Sequence, residues 1–472
     1  MTSPTLGEHL GRLAADNPDA PAITCGADSI TRGELETRTN RLARAYQEAG
    51  VTPDSLVTIG LPNSIAFYEA LIATWKCGAT PQPVSHRLPA FEREAIIELA
   101  RPSLVVGVAE VSQPINDPSQ YDDSPLSPLA AQSWKAPTSG GSTGRPKLIV
   151  SSQPARLESV EPFARLLGMQ DDKPQLMTGP LYHNGPLLMS TCQLVLGGHV
   201  ILMPRFDALQ ALQLIEQFQI DWMYAVPTMM ARIWKLEERE SFDLSSLRVV
   251  MHLAAPCPPW LKRAWIDWLG PQRVWELYAA TEVQAVTVLD GQEWLDHPGT
   301  VGRPVIGEIQ ILDDAGDPVP NGTVGEVWMR RGAGEANPYR YLGAEARARD
   351  EGWESVGDMG RLDDEGYLYL ADRKGDMILV GGANVYPAEI EAALMEHPQI
   401  RVAVVVGVPH EDLGQVPHAF LEVDGDVSDD DVREHLKDRL VSYKIPRDFE
   451  RVTEPLRDDA GKVRRSSLVP RA

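Results

Sequence analysis

The sequence predicts an α/β protein: layered α/β sheets in a large N-terminal part, a small β subdomain late in that part, and an α+β unit at the C-terminal end. Three observations carry this prediction. Short apolar runs alternate with segments of helical spacing through roughly the first 290 residues, the pattern of sheets covered by helices on their faces. The texture turns strand-rich near 297, and a third, mixed pattern begins near 376. At about 100–200 residues per domain, 472 residues also ask for more than one structural unit.

In chain order, 55–61 reads as a buried strand, 64–76 as a helix with apolar spacing near 3.6, and 104–109 as another short apolar run. Residues 111–133, rich in Ser, Pro, Asp and Gln, read as a surface connection. Strands follow at 148–152, 200–203, 222–227 and 247–254, with helical patterns at 154–167, 207–217, 228–239 and 258–269. The runs 308–313, 325–331 and 366–371 sit between Gly/Pro/Asp turns and predict antiparallel strands. Beyond 376, strand patterns alternate with helices at 387–396 and 428–440. A charged stretch around Gly375 separates the last unit. The expected division is therefore 1–373, with the β subdomain at about 297–371, and a mobile C-terminal domain at 374–472.

The charge balance is 44 − 67 = −23, which disfavours nucleic acid and anionic membrane surfaces as partners. A phosphate ligand would need a few basic groups and backbone N–H donors gathered in one place. Cys25, Cys77, Cys192 and Cys257 form no CxxC pair and read as buried small hydrophobes rather than zinc ligands or a disulfide framework. The first residues lack the basic and apolar regions of a signal peptide, and no run is long and apolar enough to span a membrane. The expectation is a cytoplasmic enzyme without stable membrane insertion.

The strongest local signal is Thr138-Ser139-Gly140-Gly141-Ser142-Thr143-Gly144-Arg145-Pro146-Lys147. Glycines let a backbone approach an anion closely, and successive N–H groups with Ser/Thr hydroxyls can wrap phosphate oxygens. A Walker loop requires Lys followed by Ser/Thr at the opening of a helix. Here Leu148 follows Lys147 and a strand pattern follows that, so the Walker reading fails on order and context.

The loop, followed by Pro-Lys and a strand, resembles the phosphate loop of the adenylate-forming enzymes: acyl-CoA synthetases, luciferases and peptide-synthetase adenylation domains. Further segments resemble the family's motifs in the family's order. Tyr182-His183-Asn184-Gly185 resembles the segment carrying the gate of the acyl pocket, which implies His183 as gate. The loop at 252–256, with Ala255, resembles the one that lies against adenine. Tyr278-Ala279-Ala280-Thr281-Glu282 resembles Tyr-Gly-x-Thr-Glu, implying that Tyr278 packs on adenine, Thr281 bonds phosphate and Glu282 holds Mg²⁺; Ala279 departs from the usual glycine. Trp353-Glu354-Ser355-Val356-Gly357-Asp358 implies Asp358 as ribose ligand, with Val356 replacing the usual threonine. Asp372-Arg373-Lys374-Gly375 resembles the hinge, with Arg373 contacting nucleotide and Gly375 where Asp or Lys is usual. Gly381 and Gly382 resemble the loop bordering the thiol tunnel, and Gly461-Lys462-Val463-Arg464-Arg465 implies Lys462 as the catalytic lysine.

The resemblance implies ATP-dependent activation of a carboxylic acid to acyl-AMP and pyrophosphate, then transfer to CoA, with ATP, Mg²⁺ and CoA as cofactors. A carboxylate is ionised at neutral pH and needs no general base; the obstacle is an anion attacking a polyanion. No acid follows the gate segment, which disfavours an amino-acid substrate. Met177, Met189, Trp222, Met223, Tyr224, Met229, Met230 and Met251 in the pocket region favour a bulky hydrophobic acid. The gate spacing and the doubled glycine look most like bile-acid and terpenoid acyl-CoA ligases. A separate carrier protein as acceptor, a stand-alone adenylating enzyme that passes acyl-AMP to a partner, a non-catalytic descendant of the fold, and a monomeric or homodimeric state stay open at this level.

Overall fold

The computed structural model describes residues 2–108, 115–140, 146–458 and 461–468. Its largest element is a nine-stranded sheet. The strands Pro21–Cys25, His199–Leu202, Pro174–Met177, Trp222–Ala225, Val249–His252 and Val274–Ala279 are parallel neighbours in that spatial order. Asp28–Thr31 closes one edge antiparallel, and Val286–Asp290 with Pro304–Ile306 closes the other. The central strand Trp222–Ala225 is buried along its length, as strands covered on both faces by helices must be. Helices start where the chain supplies oxygen caps: Thr31 accepts from Glu34 N ahead of Arg32–Glu48, and Asp207 accepts from Gln210 N ahead of Ala208–Phe218.

Two smaller sheets complete this body. Thr80–Pro83, Leu56–Ile59 and Leu104–Val106 pair in parallel, while Tyr339–Leu342, Pro146–Ser151 and Thr138–Gly140 pair antiparallel. An antiparallel sheet built on Glu308–Leu312, Gly325–Arg330, Asp358–Leu362 and Leu368–Arg373 forms a separate β layer with its own apolar cluster. The C-terminal unit is a long hairpin, Ile400–His410 against Gly414–Val423, with Asp448–Arg451 parallel to it and the helices Pro387–Met395 and Asp429–Lys437 packed on a common core.

Most predicted elements appear within a few residues of their expected bounds, with one clear exception. The helix expected over 154–167 is only a short turn, Leu157–Ser159, and the helix Glu161–Leu166. Its first half is spent on other segments: Ala155 N donates to Ala131 O, Leu6 N to Ala155 O, and Leu157 N to Pro4 O. The strand Tyr339–Leu342, absent from the sequence reading, leaves the β layer and pairs with the strand after the glycine-rich loop.

The two parts meet around Gly375. Lys374 is anchored on the large part, its Nζ 2.6 Å from Asp314 and its N–H donating to Gly357 O at 2.8 Å. Asp376 faces Arg465 of the small part at 3.1 Å. Between them, a Cβ placed on Gly375 would meet nothing within 4 Å. Asp372, just before this point, accepts from Ala388 N at 2.9 Å and so caps the first helix of the small domain from outside it.

Candidate active site

The parallel strands Val249–His252 and Val274–Ala279 end side by side, and the turns beyond them carry the predicted adenine loop and the Thr281-Glu282 pair. Ala254 and Val283, one in each turn, hold left-handed backbone (φ 74° and 57°), which non-glycine residues rarely adopt. Glu282 is buried. Its Oε1 lies 3.2 Å from Lys147 Nζ and also accepts the Tyr341 hydroxyl proton. The Lys147 ammonium stands 4.1 Å from the centre of the Tyr341 ring, a cation–π contact. Burial and the Glu282 charge push the Tyr341 hydroxyl pKa up, so it stays a donor. Tyr341 is the member of this cluster that the sequence reading missed. The alternating strand Tyr339–Leu342 was its signal, but only the cross-pairing with Pro146–Ser151 brings it to Glu282.

A second cluster forms where Asp358 and Arg373 face each other in neighbouring strands. Arg373 Nε lies 3.4 Å from Asp358 Oδ1, and the Tyr278 hydroxyl donates to Asp358 Oδ2 at 2.7 Å. Burial, then the Asp358 charge, raises the Tyr278 pKa well above its ordinary value and keeps the proton on it. Tyr278 thus orients the carboxylate in addition to offering a ring. Val356 packs against the apolar cluster of the β layer. The hydroxyl it lacks stands one residue earlier, where Ser355 Oγ donates to Glu326 at 2.7 Å and accepts from Gly357 N at 3.0 Å.

The third contribution comes from the small domain. Asp458 and Lys462 close a tight loop: Asp458 N donates to Lys462 O and Lys462 N to Asp458 Oδ1, both at 2.9 Å, with Gly461 at φ 76°. A Cβ on Gly461 would touch Thr228 and Val226 at 3.4 Å, so the loop rests on the start of the helix Pro227–Trp234. Arg464 reaches Glu92 of the large domain at 3.0 and 3.1 Å. Lys462 keeps solvent access along its length, yet the cleft walls crowd its amine. That desolvation lowers its pKa, Arg373 adds to the lowering, and Asp458 and Glu282 oppose it. Its ammonium makes no ion pair among the described residues. His183 Nε2 stands 3.9 Å from Asp458 Oδ2 and has no hydrogen-bond partner among the described residues. Burial, with Lys462 nearby, pushes its pKa down to about 3, so the ring is neutral at pH 7.

The remaining predicted residues divide. Gly141, Ser142, Thr143 and Gly144 lie outside the described residues, and Ser139 and Gly140 are described as strand backbone opposite Lys147 and Pro146. The Thr138 hydroxyl accepts from Gln82 Nε2 at 2.8 Å, which holds it at the start of the strand. Thr281 is half-buried beside Glu282, and Ala255 is half-buried next to Ala254. Gly381 and Gly382 turn the hairpin between Ile378–Val380 and Ala383–Val385, with Gly381 N donating to Leu413 O at 2.9 Å. No hydrogen bond or ion pair joins that hairpin to the cluster among the described residues. A groove of about 550 Å³ lined by Arg303, Gln310 and Trp353 contains none of the predicted site residues.

The donor set suits Mg²⁺ bound together with a nucleotide. No group of three or more acidic, His or Cys side chains gathers to cage a metal among the described residues. Glu282 offers hard carboxylate oxygen, and Mg²⁺ commonly takes one or two carboxylates plus substrate phosphates. Bound there, it would supply charge neutralisation between the phosphates and the protein.

Three comparisons with known proteins place the chain in a family. The AMP-binding enzyme model matches residues 10–339, and the AMP-binding enzyme C-terminal domain model matches 389–462. A feruloyl-CoA synthase of Amycolatopsis sp is 30% identical over 98% of both chains, and a 2-succinylbenzoate–CoA ligase of Bacillus licheniformis is 28% identical over 97% of this chain and 98% of that one. The o-succinylbenzoate CoA synthetase of Bacillus subtilis, solved with its acyl-adenylate, superposes with a TM-score of 0.85 at 25% identity, covering 100% of this chain and 99% of that one. The same enzyme is also known with ATP and magnesium ion bound (TM-score 0.83, 26% identity, 98% of both chains). None of these is a bile-acid or terpenoid ligase. No helix among the described residues is long and apolar enough to cross a membrane. The chain belongs to the AMP-binding enzyme family, as an AMP-forming acyl-CoA synthetase that acts on a small-molecule acid with ATP, Mg²⁺ and CoA.

Proposed function

We propose that the acid has a bulky, largely apolar body and that the residues above divide the work in two steps. Asp358, oriented by Tyr278, takes the ribose hydroxyls, and Arg373 lies beside it. Lys147 and Glu282, with the metal, neutralise the phosphates, so that the substrate carboxylate can approach the α-phosphorus. Lys462 brings the last positive charge from the small domain and stabilises the charge that develops there. Neutral His183 shapes the mouth of the acid pocket beside it. The small domain, residues 374–472, then turns about Gly375 so that CoA can reach the acyl-adenylate.

The observation that carries this reading is the seating of the Lys462 loop on the large domain: Gly461 lies against Val226 and Thr228, and Arg464 reaches Glu92. The apolar body is supported by the buried Tyr224, Met229 and Leu253 near the gate segment. Pyrophosphate exchange over a panel of acids, run with and without CoA, tests it. Exchange with aryl or long alkyl acids and acyl-CoA formation are expected. Exchange without acyl-CoA would point to an enzyme that hands acyl-AMP to a partner, and exchange with acetate alone would remove the bulky acid.

A further inference from the structure

Lys135 lies outside the catalytic cluster and is 5% exposed. It sits just before the strand Thr138–Gly140, with Ser151 N donating to its carbonyl. Its ammonium donates to the side chain of Asn184, the residue after the gate His183, and stands 4.5 Å from the Trp134 ring centre. No carboxylate pairs with it among the described residues, and an ammonium has three N–H donors. A buried charge without a counter-ion is costly, and burial lowers this amine's pKa to about 7.

The surroundings make that cation stranger. Asn184 opens the helix Asn184–Val195, whose positive end repels an ammonium. No side chain caps that end, and Pro186 in its first turn has no N–H to offer. On the other side, a Cβ at Gly185 would stand 3.3 Å from the Tyr224 hydroxyl and 3.5 Å from Leu253. That hydroxyl makes no hydrogen bond among the described residues. Unspent donors thus sit beside apolar walls at the gate of the acid site, the lining expected where a mostly apolar ligand is held by a few polar contacts.

We propose that Lys135, with Asn184, determines specificity by receiving a second acidic group on the substrate, a carboxylate or sulfonate distinct from the one that reacts. This rests on the acyl-CoA synthetase reading and deepens it: the acid has an apolar body and a second negative charge. The anion supplies the counter-ion that Lys135 lacks.

The test uses the enzyme and two matched pairs: 2-succinylbenzoate against 4-oxo-4-phenylbutanoate, and 4-carboxycinnamate against cinnamate. ATP–pyrophosphate exchange is measured for wild type, Lys135→Met and Lys135→Arg, with thermal melting to confirm folding. Wild type is expected to favour at least one acidic member. Lys135→Met should lower kcat/KM for that member by roughly tenfold or more while sparing its partner, and Lys135→Arg should keep the preference. Equal loss on both members of a pair, or a wild type that reacts only with acids lacking a second acidic group, overturns the assignment alone. No exchange with any acid overturns the activity reading, and the assignment falls with it.

Discussion

The two halves of the site are held in opposite ways. On the large domain the charged groups are already paired within the chain: Lys147 with Glu282 and Tyr341, Asp358 with Tyr278 and Arg373. On the small domain, Lys462 is fixed through its backbone, while its amine is left without an ion pair among the described residues. Behind it, Arg457 and Arg465 converge on Glu391 at 2.9 and 2.5 Å and brace the segment. The difference teaches how one site can serve two steps. In the proposed reading, the nucleotide end is held by charges that satisfy one another, and the lysine is an unspent charge that a turn of the small domain would withdraw.

The comparison can be broken most severely at Glu282. Glu282→Ala removes the carboxylate and strands Lys147, so adenylation should fall roughly a hundredfold or more, read by pyrophosphate exchange. An ordinary rate would mean that the large-domain pairing is only structural. Next is the ribose end. Tyr278→Phe leaves the ring but takes one hydrogen bond from Asp358, and should raise the KM for ATP several-fold, for a loss of about 1 kcal/mol, with the KM for the acid unchanged.

Acid pH sharpens the contrast by acting on the buried frame. His183, His199 and His252 have pKa values pushed by burial to about 3, 4 and 4. Each lies below the ordinary value of about 6.5, so the unfolded chain takes up protons first. Their contribution to stability is complete above about pH 6.5 and is lost as pH falls toward 4. The melting temperature should decline from pH 7 to 5, and a flat profile would contradict the neutral, buried assignment. The smallest effect belongs to the Arg464–Glu92 bridge between domains. Arg464 is mostly exposed, so Glu92→Ala should change adenylation by no more than about 1 kcal/mol, and less at high salt.

Much of the site was legible because its residues stand in short motifs: Glu282, Asp358, Arg373 and Lys462 all come to the cluster. The stretch around Gly375 was legible as a junction: Lys374 contacts Asp314, Asp376 contacts Arg465, and a Cβ on Gly375 would meet nothing within 4 Å. What escaped depends on long-range pairing. Tyr341 reaches Glu282 only because its strand crosses to Pro146–Ser151, and local alternation does not record a partner 190 residues away. Asp372 caps a helix across the domain boundary for a similar reason. The first half of the helix expected over 154–167 failed because its backbone groups are claimed by Ala131 and by Pro4 and Leu6 near the N-terminus.

The division of labour between a self-paired nucleotide end and a withdrawable lysine is tested most directly by Lys462→Ala in the two half-reactions measured separately. The account predicts that acyl-adenylate formation falls by about two to three orders of magnitude, while thioester formation from supplied acyl-adenylate and CoA stays within a few-fold of wild type. Equal losses in both half-reactions would contradict it.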